Sequence, residues 1–189
     1  MKTAYIIHGW DGSPEEPMHR WIKNKLEEIK FKVIAPKMPN PSEPKIKPWL
    51  EKIAEISNNL SDEDIFIGHS IGCQAVLRYV SILKGKKISK IILIAPWIYL
   101  DKNTIKEEGE ETKRIAKPWM ETPIEWDKIK ENCKEIIAIF SDNDPYVELS
   151  NVDLFKKKLN PKIVILNKRG HFDPSSGIND LPELFDFIK

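Results

Sequence analysis

The sequence has few of the residues on which disulfide-stabilised and metal-binding proteins depend. It contains two cysteines, Cys73 and Cys133, in 189 residues, and they form no CxxC motif. A disulfide framework and a cysteine-based metal site are therefore not expected, and a reducing, cytoplasmic location fits this cysteine content. No spacing of His, Cys and Asp suggests a metal ion, and no glycine-rich phosphate loop occurs. We expect a protein without a metal or an organic cofactor.

Long apolar segments and an excess of charge of one sign are also missing. No apolar run approaches the ~20 residues that a membrane-spanning helix needs, and the apolar segment near the N-terminus is too short for a signal peptide. Thirty Lys and Arg residues face 29 Asp and Glu residues, which gives a formal net charge of +1. Because there is no overall basic field, we expect neither nucleic acid nor a membrane surface as a partner.

The chain does contain short apolar runs that alternate with helical patterns. The runs cover residues 3–7, 31–35, 64–68, 90–95, 135–140 and 162–166. Their nearly continuous apolar character is typical of strands that are covered on both faces, as in a parallel sheet. Helical periodicity is found in residues 18–29, 50–60, 71–83, 148–158 and 180–188. We therefore predict a three-layer α/β/α fold with a mostly parallel, six-stranded sheet.

Two segments interrupt this alternation. Residues 36–48 contain five prolines, which predicts an ordered, extended loop at the C-terminal end of a strand. The segment from about residue 97 to 126 is long for a crossover between adjacent strands, so we expect an insertion, or lid, over the sheet. No internal repeat or low-complexity tract occurs, and nothing marks a second domain. We therefore predict one domain over residues 1–189.

A serine lies between two glycines where the third apolar run changes into a helical pattern. Residues 68–72 read GHSIG and match G-x-S-x-G, the nucleophile-elbow motif. In that motif the serine, here Ser70, is forced into strained backbone geometry above the sheet, and its small neighbours relieve the crowding. The alternative is an ordinary strand-to-helix turn with Ser70 as the N-cap residue. That alternative does not require both glycines.

A nucleophilic serine needs a general base, and the base needs an acid that orients it. The fifth apolar run ends in SDNDPYV and the sixth ends in LNKRGHFDP, which places Asp144 and His171 after neighbouring strands. Ser70, Asp144 and His171 thus follow three strands in the order that hydrolases with this elbow use. Ligands of open α/β sheets bind at the C-terminal strand ends, so the three side chains can meet there. Taken alone, each residue has an ordinary alternative: Asp144 could be a turn residue, and His171 could be a polar loop residue.

The acid itself has two candidates, because Asp142 and Asp144 lie in the same loop. Pro145 restricts Asp144 to an extended conformation, which fixes the direction of its carboxylate. Asp142 is closer to the strand, where an Asx-type turn bond to the backbone is the expected task. We therefore predict Asp144 as the acid.

An oxyanion hole needs two backbone N–H groups that point at one place. Ile71, the residue after the serine, is expected to supply one. The first strand ends in IIHGWDGS, and the N–H of Trp10 is the natural second donor. His8 precedes the nucleophile in the chain, unlike the base of these hydrolases. We expect it to hold this loop by hydrogen bonding and to border the substrate pocket.

Other histidines and tryptophans have weaker predicted roles. His69 is the variable residue of the elbow and His19 begins a helical pattern, so neither is assigned a role. Trp10, Trp97 and Trp119 could form apolar walls for a small or medium acyl or aryl group. They could equally pack the insertion against the core.

The stretches HGWDGSPEEPMHRWIKNKLE, IGHSIGC, SDNDPYV and RGHF together resemble the YdeN-like, retinoblastoma-binding-protein-nine family of small serine hydrolases. The resemblance spans nearly the whole chain. It implies a compact α/β-hydrolase core without the first two strands of larger members, and a triad at Ser70, Asp144 and His171. It also allows a protein partner. Residues 97–126 depart from it, because they are longer and more charged than the family's usual connection.

The favoured function is a cofactor-independent serine hydrolase that acts on a small-molecule ester or amide through an acyl-enzyme. A protein-binding module that keeps the hydrolase fold is the first alternative, since fold alone does not guarantee activity. An acyltransferase or lyase that uses the same triad is the second.

Overall fold

The computed structural model describes residues 2–100 and 102–188, without the side chains of residues 102 and 103. Its six strands form one sheet of order β2-β1-β3-β4-β5-β6, in which all neighbouring pairs are parallel. The prediction of a mostly parallel six-stranded sheet is confirmed. The strands are β1 (Thr3–Ile7), β2 (Lys32–Ile34), β3 (Ile65–His69), β4 (Ile88–Ile94), β5 (Cys133–Ser141) and β6 (Lys162–Leu166).

Helices connect the strands on both sides of the sheet. They are α1 (Pro17–Glu28), α2 (Ile46–Ile56), α3 (Ile71–Ser81), α4 (Lys102–Glu121), α5 (Trp126–Asn132) and α6 (Ser150–Leu159). The predicted helix over residues 180–188 is instead a 3₁₀ helix, Pro182–Phe187, where Leu184 and Ile188 donate to the carbonyls three residues earlier. None of the helices described is long and apolar enough to cross a membrane.

Two hydrophobic cores lie on opposite faces of the sheet and give the three layers. Successive side chains of a strand point to opposite faces, and β1 shows this directly. Tyr5 and Ile7 join the core that contains α2 and α3, whereas Ala4 and Ile6 join the core that contains α1. The strands are therefore covered on both faces, which explains their continuous apolar sequence.

The proline-rich loop is ordered but shorter than predicted. It ends at Lys45, and Pro48 lies in the first turn of α2, where a backbone N–H has no acceptor within the helix. The loop is fixed by the indole of Trp49, which donates to the carbonyl of Pro39 at 2.8 Å. The N–H of Asp11 donates to the carbonyl of Pro41 at 2.7 Å, so this loop and the loop after β1 hold each other.

The segment after β4 consists mainly of α4, which bends sharply at Gly109 (φ 89°, ψ 176°). Beyond this bend, Ile115, Ala116 and Trp119 are buried against the core. The buried Arg78 of α3 donates to the carbonyl of Trp119 at 2.7 Å and to two further carbonyls after it. It thereby satisfies carbonyl groups that the end of a helix leaves without partners.

Candidate active site

Ser70 stands in strained backbone geometry between β3 and α3. Its φ of 53° and ψ of −123° lie outside the regions that residues with a side chain prefer. Ser70 occupies the N-cap position of α3, but its hydroxyl makes no capping hydrogen bond to the helix, so capping does not explain the serine. A Cβ on Gly72 would collide with the carbonyl oxygens of Ile7 and His8, the latter at 2.5 Å. The second glycine of the motif is therefore required by the close approach of β1 to α3.

His171 and Asp144 meet beyond the ends of β6 and β5. Nδ1 of His171 lies 2.9 Å from Oδ2 and 3.1 Å from Oδ1 of Asp144. The Asp144 side chain is 2% exposed, and its Oδ1 also accepts from the N–H groups of Tyr146 and Val147 at 2.9 and 3.0 Å. Two backbone donors and the imidazole hold this carboxylate in one orientation.

The side chain of Asp142 makes a different set of bonds, both with the loop after β6. Its Oδ1 accepts from the N–H of Lys168 at 2.8 Å, and its Oδ2 accepts from the side-chain amide of Asn167 at 2.6 Å. The hydrogen bonds from Lys168 and Asn167 lower the pKa of Asp142. Of the two aspartates, Asp144 is therefore the one in contact with the imidazole. The side chain of Asp142 joins two loops. The expectation of an Asx-type turn bond within its own loop was therefore wrong.

Two residues that the sequence reasoning missed position the histidine loop. The Asn143 side-chain oxygen accepts from the N–H of Gly170 at 2.8 Å and from the Ser141 hydroxyl at 2.8 Å. The Ser141 hydroxyl in turn accepts from the N–H of Arg169 at 2.9 Å. The only sequence signal was that both residues lie beside Asp144 at the end of a strand.

His69 was assigned no role, yet it holds the main chain of His171. Its Nε2 donates to the carbonyl of His171 at 2.8 Å, and the residue is 3% exposed. Burial, and then the neighbouring His171, hold the pKa of His69 well below its usual value. The imidazole is therefore neutral, and because Nε2 is the donor, Nδ1 carries a lone pair. No partner for that Nδ1 is found among the described residues.

Ile71 and Trp10 were predicted as oxyanion donors. Ile71 begins α3, so its N–H has no acceptor within the helix. Trp10 lies in the loop after β1 and lines the same cavity as Ser70. Its indole donates to the carbonyl of Ser42 at 3.1 Å, which ties this loop to the proline-rich loop.

One cavity of about 670 Å³ connects these elements. Ser70 and His171 line it, together with Trp10, Trp97 and Tyr146. The Tyr146 ring meets the His171 ring edge-on, with 5.0 Å between centroids. The cavity thus brings the serine and the histidine to one space, with aromatic walls on several sides.

His8 and Trp119, which were expected at the pocket, lie in the core instead. Trp119 is 1% exposed, meets Trp49 edge-on at 5.9 Å and donates its indole N–H to Pro44. His8 accepts from the N–H of Met38 at 2.9 Å, and its Nδ1 lies 2.8 Å from the carbonyl of Gly9. Burial lowers the pKa of His8. Neither residue lines the cavity, because each is enclosed by neighbouring loops. The expected loop-holding role of His8 agrees with these contacts.

Glu16, His19 and His69 form the one group of potential metal ligands within residues 2–100 and 102–188. Their ligand atoms lie within 4.8 Å of one another. Burial lowers the pKa of His19 to about 4, so its ring is neutral. This group could not be recognised from residue spacing, because β3 brings His69 to α1 from a distant part of the chain. Glu16 accepts from the N–H of Ser13 at 2.9 Å, and Nδ1 of His19 lies 3.0 Å from the carbonyl of Ser13.

The parallel sheet, the strained serine at its centre and the His–Asp pair at its C-terminal edge define an α/β-hydrolase fold. The model of the serine hydrolase family matches residues 4–189, and the chain belongs to that family. It is an enzyme of the serine hydrolase class.

Individual relatives agree with this assignment. The chain is 30% identical over 166 residues to serine hydrolase RBBP9 of Rattus norvegicus, covering 87% of this chain and 78% of the relative. It is 25% identical over 188 residues to putative hydrolase YdeN of Bacillus subtilis, covering 99% of this chain and 94% of the relative. The resemblance to the YdeN-like family is confirmed.

Solved structures show the same fold. The crystal structure of the ydeN gene product from B. subtilis matches with a TM-score of 0.87 at 25% identity, over 98% of this chain and 96% of that one. Est1E from Butyrivibrio proteoclasticus, solved with ferulic acid bound, matches with a TM-score of 0.72 at 16% identity, over 92% and 82%.

Proposed function

We propose that the chain hydrolyses a small or medium carboxylic ester through an acyl-enzyme on Ser70, with His171 as general base and Asp144 as its orienting acid. The observation that carries this proposal is the contact of the buried Asp144 carboxylate with Nδ1 of His171, beside a cavity that Ser70 also lines. A buried carboxylate in this position selects the tautomer whose Nε2 can accept a proton.

Acylation begins when Ser70 Oγ attacks the ester carbonyl carbon and His171 Nε2 takes the hydroxyl proton. The Asp144 carboxylate stabilises the imidazolium that results. When the tetrahedral intermediate collapses, the carbon–oxygen bond to the alcohol breaks and His171 returns the proton to the leaving alcohol. The acyl group then remains on Ser70.

The negative charge of the tetrahedral intermediate needs fixed donors. The N–H of Ile71 lies at the N-terminus of α3, where the helix dipole also favours negative charge. The N–H of Trp10 is the proposed second donor. In deacylation, His171 activates water in the same way, the acid is released and Ser70 regains its proton.

The size of the substrate follows from the cavity. A volume of about 670 Å³ lies within the range of roughly 300–1,000 Å³ that is usual for small-molecule sites. Thr104 and Glu108 of α4 lie in its wall. We propose that residues 97–126 act as a lid on a single domain, because residues of α4 on both sides of the bend at Gly109 line the cavity.

Para-nitrophenyl esters of increasing acyl length test this function. The wild-type chain should release nitrophenol, and Ser70→Ala should lower kcat by roughly 10⁴-fold or more. Ser150→Ala is the control, because Ser150 is exposed at the start of α6 and should leave turnover unchanged. Undiminished turnover in Ser70→Ala would contradict the proposal. Absence of turnover in the wild type would favour the binding-module alternative.

A further inference from the structure

The wall of the candidate catalytic cavity carries an excess of negative charge. The carboxylate side chains that line it are Asp11, Glu16, Glu108, Glu111 and Asp173. Among the lining residues whose side chains the structure describes, none is Lys or Arg. The chain as a whole has 30 basic and 29 acidic residues, so this imbalance belongs to the cavity and not to the composition.

Most of these carboxylates lack a basic partner. Glu111 is neutralised by Arg114, with 2.7 Å between the charged groups. For the other four, no Lys or Arg of the described part of the chain lies within ion-pair distance. Glu16 lies 3.6 Å from His19, but that imidazole is neutral at pH 7, because burial lowers the pKa of His19 to about 4.

The carboxylates also act on one another across the cavity. Burial raises the pKa of Glu16, and the charge of Asp173 raises it further. Burial likewise raises the pKa of Tyr146, and the charges of Glu108 and Asp173 add to that effect. The charge of Asp173 therefore acts on both Glu16 and Tyr146, which line the same cavity.

The rest of the wall includes two tryptophans. Trp10 and Trp97 add electron-rich rings, which attract cations. An anionic substrate would meet repulsion here, and a neutral one would leave these charges unused.

We propose that the substrate of this cavity is a cationic ester, with an ammonium or guanidinium group in its acyl or its alcohol part. The proposal rests on the proposed function, since it assigns a substrate class to the same cavity. The ester carbonyl lies at Ser70, and the cation lies against the carboxylates of the wall.

Two isosteric pairs of esters test this proposal and distinguish the two positions of the charge. Para-nitrophenyl 6-aminohexanoate and heptanoate differ by a terminal ammonium in place of a methyl group in the acyl part. Butyrylthiocholine and the 3,3-dimethylbutyl thioester of butyric acid differ by the charge in the leaving group. In at least one pair, kcat/KM of the cationic member should be about tenfold higher, and the ratio should fall as salt screens the wall.

Variants on α4 provide a matched control. Glu108→Gln removes a carboxylate from the cavity wall and should lower the ratio by roughly threefold or more. Glu110→Gln removes one whose side chain is 88% exposed and paired with Lys113 outside the cavity, and it should leave the ratio unchanged. The double variant Asp11→Asn with Glu108→Gln should lower the ratio further.

Each outcome decides between the two proposals. Turnover of all four esters with ratios near one, or with the neutral members preferred, overturns the cationic substrate and leaves the serine hydrolase function standing. A cationic preference that is equal in Glu108→Gln and Glu110→Gln also overturns it. Failure of all four esters, together with no reaction of Ser70 with a fluorophosphonate, contradicts the proposed function itself.

Discussion

His69 and His171, 102 positions apart in the chain, are joined by a 2.8 Å hydrogen bond from the imidazole of the first to the backbone carbonyl of the second. The first residue belongs to the nucleophile elbow and the second is the proposed base. The elbow therefore fixes the main chain that carries the base as well as the serine. We infer that His69 is a positioning residue.

Replacing His69 should affect the chemical step more than substrate binding. His69→Ala should lower kcat by roughly 10- to 100-fold with little change in KM, because a misplaced imidazole reaches Ser70 less often. His69→Gln, whose amide keeps an N–H donor, should recover part of this loss. Steady-state kinetics with melting temperatures as a stability control test the idea. An unchanged kcat in a folded His69→Ala variant would contradict it.

The two aspartates after β5 should respond very differently to the same substitution. Asp144→Asn should lower kcat by roughly 10³- to 10⁴-fold, because the amide favours the wrong histidine tautomer. Asp142→Asn should cost less than about tenfold, with some loss of stability, because its bonds go to Asn167 and Lys168. The reverse ranking of the two kcat values would identify Asp142 as the acid.

The close approach of β1 to α3 predicts a large loss of stability for Gly72→Ala. The added Cβ would lie 2.5 Å from the carbonyl oxygen of His8, so the backbone must move. We expect a cost of more than about 3 kcal/mol in the free energy of unfolding.

Gly85→Ala is the control for this measurement. Gly85 has a φ of 65° and nothing within 4 Å of an added Cβ, so only backbone strain of about 1 kcal/mol is expected. Urea titrations of both variants test the difference. Equal costs would show that the contact does not decide the residue type at position 72.

The buried, neutral His19 predicts how the free energy of unfolding depends on pH. Because the pKa of His19 is lowered to about 4 in the folded chain, the unfolded chain binds more protons between pH 4 and the ordinary value of 6.5. The stability is therefore fully present above pH 6.5 and is lost as the pH falls towards 4. We expect His19 alone to account for a loss of about 2 kcal/mol between pH 7 and pH 5.

A comparison of the wild type with His19→Gln isolates this contribution. The free energy of unfolding should fall less steeply with acid in the variant. A parallel decline in both proteins would show that His19 is not the group responsible.

The sheet could be predicted closely because apolar runs mark its strands. β1 and β6 coincide with the predicted residues 3–7 and 162–166. β4 and β5 begin earlier than their apolar runs, because Ile88 pairs with Cys133 before continuous apolar sequence begins. The pairing of backbones, which the sequence does not display, sets those ends.

The aspartate and histidine of the proposed triad could be located because strand ends and chain order restrict them strongly. The surroundings of the site could not be predicted, because they depend on contacts between distant segments. Trp119 is of a residue type that is common in pocket walls, but in the structure it packs against Trp49 and donates to the carbonyl of Pro44. His69 has no distinguishing sequence signal, and its role depends on where β6 delivers the carbonyl of His171.

The central claim, that Ser70 is an activated nucleophile, is tested most directly by its reaction with a fluorophosphonate, followed by peptide mass spectrometry. One phosphonyl group per chain should be found on the peptide that contains Ser70, and the reaction should be abolished in Ser70→Ala and slowed strongly in Asp144→Asn. Labelling of a serine other than Ser70, or no labelling of the folded wild-type chain, would contradict the account.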